Sequence, residues 1–319
     1  MTLTRYVATL VAGGLASSMG CASPPVQATP HTIRVAVGTR GGDFWNYGVA
    51  LEQVVRAHPG FTVALDSAVG LRTLQAVNEG TSDCGFGYAN LAYEAFSGKL
   101  ERQSSGRLDE LRGVASIEIT PLNLVVSKAS GVKKVADLLG RRVVIGTPDS
   151  GSYRAARLVL EAHGLSSEEE MLEIIPRNFG AARQLLEKRQ ADAIFQLRRK
   201  PPLDSTSSGR LVPIEGPPVA ALRRQYPFFR PVVIPMGSYP GQREPIKTVG
   251  IESVFLCREH LAPELVRQLA ADWFAAVDQL VNDGAGAETH SRQAAAATPI
   301  PLHQGARDFY RARQVLLRD

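Results

Sequence analysis

Residues 33–38, IRVAVG, alternate apolar and polar positions as a half-buried strand does. A Gly-rich turn, GTRGG, follows. DFWNYGVALEQVV then sets Phe44, Tyr47, Leu51, Val54 and Val55 on one helical face. FTVALDS predicts a second strand, LRTLQAVNEG a short helix ended by Gly80, and DCGFGY a third strand. Strand, helix, strand, helix, strand is the mark of an α/β unit whose sheet is covered by helices.

The same alternation returns further on. VASIEIT and NLVVSK predict strands, RRVVIG another, and GTPDSGSYRAARLVLEAHG a helix. EIIP, AARQLLEKR and DAIFQL continue the pattern as strand, helix and strand, and a loop rich in Pro, Ser and Arg is expected over about residues 198–230. PVVIP and TVGIESVFLCR read as strands, and PELVRQLAADWFAAVDQL as a long helix with Pro in its first turn. Extended crossings near residues 115–128 and 231–256 predict a two-lobed α/β fold with mixed sheets, flanking helices and hinge strands. Residues 33–120 with 245–319 form lobe I in this reading, and 121–244 form lobe II. Such a layout leaves a cleft, and clefts of this kind are where α/β proteins bind small molecules.

The cleft has candidate ligand groups at two helix openings. Ser150, Gly151 and Ser152 follow a strand and open a helix, whose first N–H groups lack intrahelical partners and carry partial positive charge. Gly151 admits a close backbone approach, so a carboxylate or phosphate fits there; plain N-capping by a serine explains the same residues without a ligand. GTRGGDFWNYG repeats the device with Gly42, and Phe44 and Trp45 crowd its turn. Neither segment has the glycine spacing of a dinucleotide fingerprint or the Lys-Ser/Thr of a phosphate loop. Arg40, Arg154, Arg198 and Arg199 are candidates to make the cleft positive, since guanidinium forks bind carboxylates in bidentate fashion.

Composition narrows the classes. The chain is 44% hydrophobic and 21% charged, an ordinary globular balance, and its net charge of +5 is scattered rather than gathered into a nucleic-acid-binding run. Six histidines show no HExxH or other paired ligand spacing, and no GxSxG elbow occurs, so no metal, cofactor or enzymatic chemistry is expected. His303, in PLHQGA, reads as a structural hydrogen-bonding residue. The first 20 residues have the layout of an export signal: Arg5, a short apolar core, then small residues. SSMGC ends it as a loose lipobox, making Cys21 a candidate lipidation site, with Ser18 and Met19 off the usual pattern. Residues 21–32 read as a flexible tether, and removing residues 1–20 leaves a charge of +4. Cys84 and Cys257 sit in apolar runs and read as buried small side chains; their separation leaves a disulfide open.

GTRGGDFWNYGVALEQVV, VNEGTSDCGFGYANLAYEAFSG, ADLLGRRVVIGTPDSGS, VVIPMGSYPGQ and IPLHQGARDFY occur in the order found in the TAXI family of solute-binding proteins, which the chain resembles over about residues 33–312. The resemblance implies an extracytoplasmic, periplasmic type II-like binding protein. Such a protein closes on a glutamate-like amino acid or a carboxylate and hands it to a TRAP membrane permease. Carried onto this sequence, it implies ligand contacts at Gly42, Phe44, Trp45, Tyr88, Ala89, Asn90, Ser150, Gly151, Ser152 and Tyr239. The chain departs from the pattern where Ser67, Gly70 and Thr73 stand for Thr, Ser and Asn, at Asp43, at Tyr153, and at Arg198-Arg199-Lys200-Pro201 in place of Gly-Gly-x-Pro. These departures fall in the ligand loops. The alternative reading is a ligand-sensing module for a signalling partner, and an enzyme on the same fold stands a distant third.

Overall fold

The computed structural model describes residues 31–57, 60–100, 106–165, 172–174, 179–199, 209–282 and 292–317. The export segment, Cys21 and most of the tether therefore lie outside the described residues. The elements run β1 (His31–Ala36), α1 (Asp43–Val55), β2 (Phe61–Asp66), α2 (Leu71–Glu79), β3 (Cys84–Tyr88) and α3 (Ala89–Ser97). Then come β4 (Leu111–Ser127), β5 (Arg142–Val144), α4 (Gly151–Ala162), β6 (Leu172–Ile174), α5 (Phe179–Glu187) and β7 (Ala193–Leu197). β8 (Gly209–Val212), α6 (Pro217–Gln225), β9 (Phe229–Ile234), β10 (Ile246–Arg258), α7 (Pro263–Asn282), α8 (Arg292–Ala295) and α9 (Gln304–Arg311) complete the order.

The strands follow the path β2-β1-β3-β10-β4-β7-β5-β6, with β9 beside β10 and β8 beside β4. β1 pairs in parallel with β2 and β3, whereas β10 is antiparallel to β3, β4 and β9. β4 links two groups of strands. It pairs with β10 up to Pro121, and from Leu122 onward it pairs with β7 and β8. Proline has no N–H to donate to a ladder, which suits the point where β4 changes partners. The two strands expected at residues 114–128 are this single strand. The fold is a mixed α/β one with flanking helices and long connecting strands.

Helix periodicity places the core. Tyr47, Leu51, Val54 and Val55 of α1 pack against Ile33 and Val35 of β1 and against Trp273 of α7. Phe44 of the same stripe is only partly buried, because it sits at the cavity described below. A second core unites Ala155, Ala156 and Val159 of α4 with Phe195 of β7 and Leu122 and Leu124 of β4.

Two expectations need correction. The segment read as one loop over residues 198–230 contains β8 and α6; α6 begins with Pro217 and Pro218, residues whose fixed φ starts a helix as readily as it marks a loop. Cys84 and Cys257 are buried but also bonded. Antiparallel pairing of β3 with β10 sets them opposite one another, and their sulfurs are joined at 2.03 Å. A sequence separation of 173 says nothing about register, so pattern alone left the pair undecided. His303 behaves as expected: its Nδ1 accepts from the Gly305 N–H at 3.1 Å and caps α9, while Nε2 lies 3.0 Å from the Glu259 carbonyl.

Candidate functional site

A cavity of about 290 Å³ opens where four helices begin. Its walls are the turn at residues 37–45 before and into α1, Val69 and Gly70 before α2, Gly87, Tyr88 and Leu91 around the start of α3, the opening of α4 at Ser150–Ser152, and Leu197 and Arg198 at the end of β7. Strands β1, β2, β3, β5 and β7 deliver these segments, so the site lies beyond the C-terminal ends of strands, where crossovers leave a crevice.

The four helix termini do different things. Leu71 N–H of α2 donates to the Asp149 carbonyl at 2.9 Å, so this terminus serves as a strut. Gly70 makes the contact possible: φ is +61°, and a Cβ there would stand 2.3 Å from the Asp149 oxygen. α1 and α3 start at Gly42 and Tyr88 with no side-chain cap. α4 is capped once, by Ser150 Oγ accepting from the Tyr153 N–H at 3.1 Å, which leaves the Gly151 and Ser152 N–H groups uncapped. The termini of α1, α3 and α4 thus present partial positive charge to one space.

Close backbone contact fixes the α3–α4 corner. A Cβ on Gly151 would lie 2.6 Å from Tyr88 Cδ2, and Asn90 Nδ2 donates to the Gly151 carbonyl at 3.0 Å. Ser152 Oγ accepts from the Leu197 N–H at 3.0 Å, tying α4 to β7. Below this corner Arg154 grips Glu94, Nε at 2.8 Å and Nη2 at 2.9 Å from the two carboxylate oxygens.

Aromatic rings form one wall. Phe44 and Tyr88 have centroids 4.9 Å apart, and the Arg40 guanidinium lies 4.8 Å over the Trp45 ring. Burial, then Asp43 and Glu118, push the Tyr88 phenol far above its ordinary range, so its hydroxyl stays a proton donor. Behind Asp43 sits a polar cluster. Arg199 Nη2 donates to Asp43 Oδ1 at 3.3 Å, its Nε lies 3.6 Å from Glu118 Oε1, and the Tyr47 hydroxyl donates to the same Glu118 oxygen. Burial raises the Glu118 carboxyl despite the opposing pull of Arg199 and the Tyr47 hydrogen bond. Burial works to lower Arg199, but Glu118, Tyr47 and Asp43 together outweigh it and raise it.

The structure brings together Arg40, Gly42, Phe44, Trp45, Tyr88, Ser150, Gly151, Ser152 and Arg198 of the sequence candidates. Three do not line the cavity. Asn90 is buried behind it as the α3–α4 tie. Tyr153 turns its ring toward the core beside α4. Tyr239 donates its hydroxyl to the Arg199 carbonyl at 3.0 Å and supports that segment from behind. Two of the four candidate arginines are likewise spent on protein acids, Arg154 on Glu94 and Arg199 on Asp43 and Glu118. Sequence reasoning missed the apolar lining, Val37, Val69, Leu91 and Leu197, and the Tyr47–Glu118–Arg199 cluster. Val37 directly follows β1 and Leu197 ends β7, a positional signal that was available; no sequence spacing links Glu118 to Arg199. Among the described residues no three His, Cys, Asp or Glu side chains gather to hold a metal, and no helix is long and apolar enough to cross a membrane.

The NMT1-like family model matches residues 35–312, nearly the whole described chain. The chain belongs to the NMT1-like family. This NMT1-like protein shares its fold with solved structures of low identity. A Bordetella bronchiseptica RB50 protein is 16% identical over 89% of this chain and 98% of that one, with a TM-score of 0.52. The alkanesulfonate-binding protein SsuA from Xanthomonas axonopodis pv. citri, bound to MOPS, is 19% identical over 82% and 78%, with a TM-score of 0.50. A full-length point mutant of BenM is 12% identical over 83% and 72%, also at 0.50. At these identities the likeness concerns the fold.

Proposed function

We propose that this NMT1-like protein is an extracytoplasmic solute-binding receptor. It takes a small organic anion, an amino acid or carboxylate, into the cavity and passes it to a TRAP-type permease, as a TAXI-type component does. In the same reading residues 1–20 direct export to the periplasm and Cys21 carries the lipid anchor. Lobe I is residues 33–120 with 245–319, lobe II is 121–244, and β4 and β10 are the hinge.

The observation that carries the reading is the meeting of three helix N-termini, those of α1, α3 and α4, on one small cavity with Arg40 and Arg198 in its wall. Unpaired N–H groups and the helix dipoles favour an anion there. The ligand would bridge elements on both sides of β4, so capture favours the closed arrangement by the difference in affinity between closed and open forms. That cycle calls for no bond-making group. SsuA, named for binding an alkanesulfonate, offers a precedent for anion capture on this fold.

Two measurements test it. Mass spectrometry of material released by denaturing the purified protein should find a small organic anion. A matching ligand at about 100 times its Kd should stabilise the protein by ~2.7 kcal/mol. No released anion, together with flat melting curves across carboxylates, sulfonates and amino acids, would remove the reading. Uptake by membrane vesicles holding a TRAP permease, dependent on added protein, separates transport from sensing.

A further inference from the structure

We infer that the cavity selects organic anions that carry an aromatic body and no ammonium group, and that Arg199 enforces this choice. The inference rests on the anion-binding reading above and narrows it to a class of ligand. A carboxylate facing the ammonium is the strongest side-chain partner for a bound amino acid. Among the described residues of the lining the one acid is Asp43, and Arg199 Nη2 already occupies its Oδ1 at 3.3 Å. Glu118, the second acid of this cluster, is 3% exposed. The Tyr47 hydroxyl and Arg199 Nε both turn to its Oε1, and its burial favours the uncharged form.

The formal charges point the same way. Arg40, Arg198 and Arg199 set three guanidinium groups against the two carboxylates of Asp43 and Glu118, before the helix termini are counted. An ammonium entering this site meets net positive charge and a low dielectric, and like-charge contacts are costly there. An aromatic ring, in contrast, meets Phe44, Tyr88, Val69 and Leu91, apolar or flat surfaces that gain by covering it. At about 290 Å³ the space lies at the low end for ligand sites, fit for one ring and a short acid arm.

The test compares pairs that differ only in the ammonium: 3-phenylpropionate against L-phenylalanine, and glutarate against L-glutamate, by calorimetry on the purified protein. 3-Phenylpropionate should bind tightest, and roughly tenfold or more tighter than phenylalanine. 3-Phenylpropanesulfonate shares that chemistry and belongs with the binders. Arg199→Met should release Asp43 and shrink the preference by about tenfold in favour of phenylalanine, a change in ratio that a merely structural loss does not produce. Amino acids binding as well as their deaminated partners, or glutarate outbinding 3-phenylpropionate, overturns the inference and leaves the receptor reading standing. Silence toward every anion in the panel overturns both. Should Arg199→Met fail to fold, the wild-type pairs decide alone.

Discussion

Arg154 and Glu94 hold α4 against α3 directly beneath the cavity, and their removal has a calculable cost. Glu94 is 1% exposed and the Arg154 side chain 13%, so both charges are largely removed from water. Three donor–acceptor distances between 2.8 and 3.0 Å join them, with Arg154 Nε reaching both carboxylate oxygens. Arg154→Met keeps the aliphatic stem and removes the guanidinium, which strands a carboxylate in a dry contact. Breaking a buried pair from one side costs ~3–5 kcal/mol, whereas replacing both partners by neutral groups of like size is close to neutral. Arg154→Met alone should therefore lose ~3–5 kcal/mol in urea unfolding at pH 7, about 6–10 °C in Tm for a chain of this length. The double variant Arg154→Met/Glu94→Gln should recover most of that, and the cycle should give a coupling energy near the upper end of ~0.5–3 kcal/mol. Equal losses in the single and double variants would refute the reasoning. So would a single-variant loss below ~1 kcal/mol, which is what an exposed ion pair gives.

Further predictions rest on other contacts. Burial lowers the His303 imidazole below its ordinary 6.5, so its stabilisation is full above that value and is lost as pH falls through the depressed folded value. His303→Asn keeps a capping oxygen and should flatten the stability–pH curve between about pH 7 and 5 in chemical denaturation. Asp192 accepts from Arg142 at its backbone N–H, Nε and Nη2, and these bonds hold its carboxyl below the ordinary 3.8. Asp192→Asn should destabilise by ~1 kcal/mol at pH 7, with the difference from wild type vanishing as pH falls below 3.8 through the folded value. The Cys84–Cys257 bond closes a loop of 173 residues, for which chain entropy gives ~5 kcal/mol; Cys84→Ala/Cys257→Ala should melt well below wild type and lose its sensitivity to dithiothreitol. Gly151→Ala places a methyl 2.6 Å from Tyr88, and titration with 3-phenylpropionate should show weakened binding beside a stability loss of ~1–3 kcal/mol.

How far the sequence reached depends on whether a feature is local. The first α/β unit was readable because each element is short, amphipathic and closed by its own signal, as Gly80 closes α2 in a left-handed cap. The α4 opening was readable for the same reason: strand, turn, Ser and Gly lie within a dozen residues. β4 was split in two because Pro121 interrupts the pattern, and only its change of partner from β10 to β7 shows that the strand continues. α6 was absorbed into a loop because Pro217 and Pro218, which start it, are also the residues that end helices elsewhere. Among the site candidates, those on Gly-rich turns reached the cavity. The protein contacts of Asn90, Arg154 and Arg199 were not legible, because their partners, Gly151, Glu94 and Asp43 with Glu118, are 60 to 156 residues away in sequence.

The same distinction bears on how the site would respond to mutation. In the proposed reading the groups that would face an anion are backbone N–H groups at α1, α3 and α4, which no replacement other than proline deletes. The serines act indirectly: Ser150 Oγ serves the Tyr153 N–H, and Ser152 Oγ serves the Leu197 N–H within a buried contact. Replacing Ser152 by Ala would leave that Leu197 donor without its partner, a loss felt as stability before affinity. On that reading affinity would depend on whether the termini converge, and two glycines bear on that. Gly151 lets α4 touch Tyr88, and Gly70 lets α2 rest on the Asp149 carbonyl. Both contacts link segments that flank the cavity from opposite sides of β4. Enlarging either glycine therefore moves whole helix ends, and all the N–H groups they carry, away from the ligand together. Such a site tolerates change in the serines more readily than in the glycines, the reverse of what a site built from reactive side chains would show.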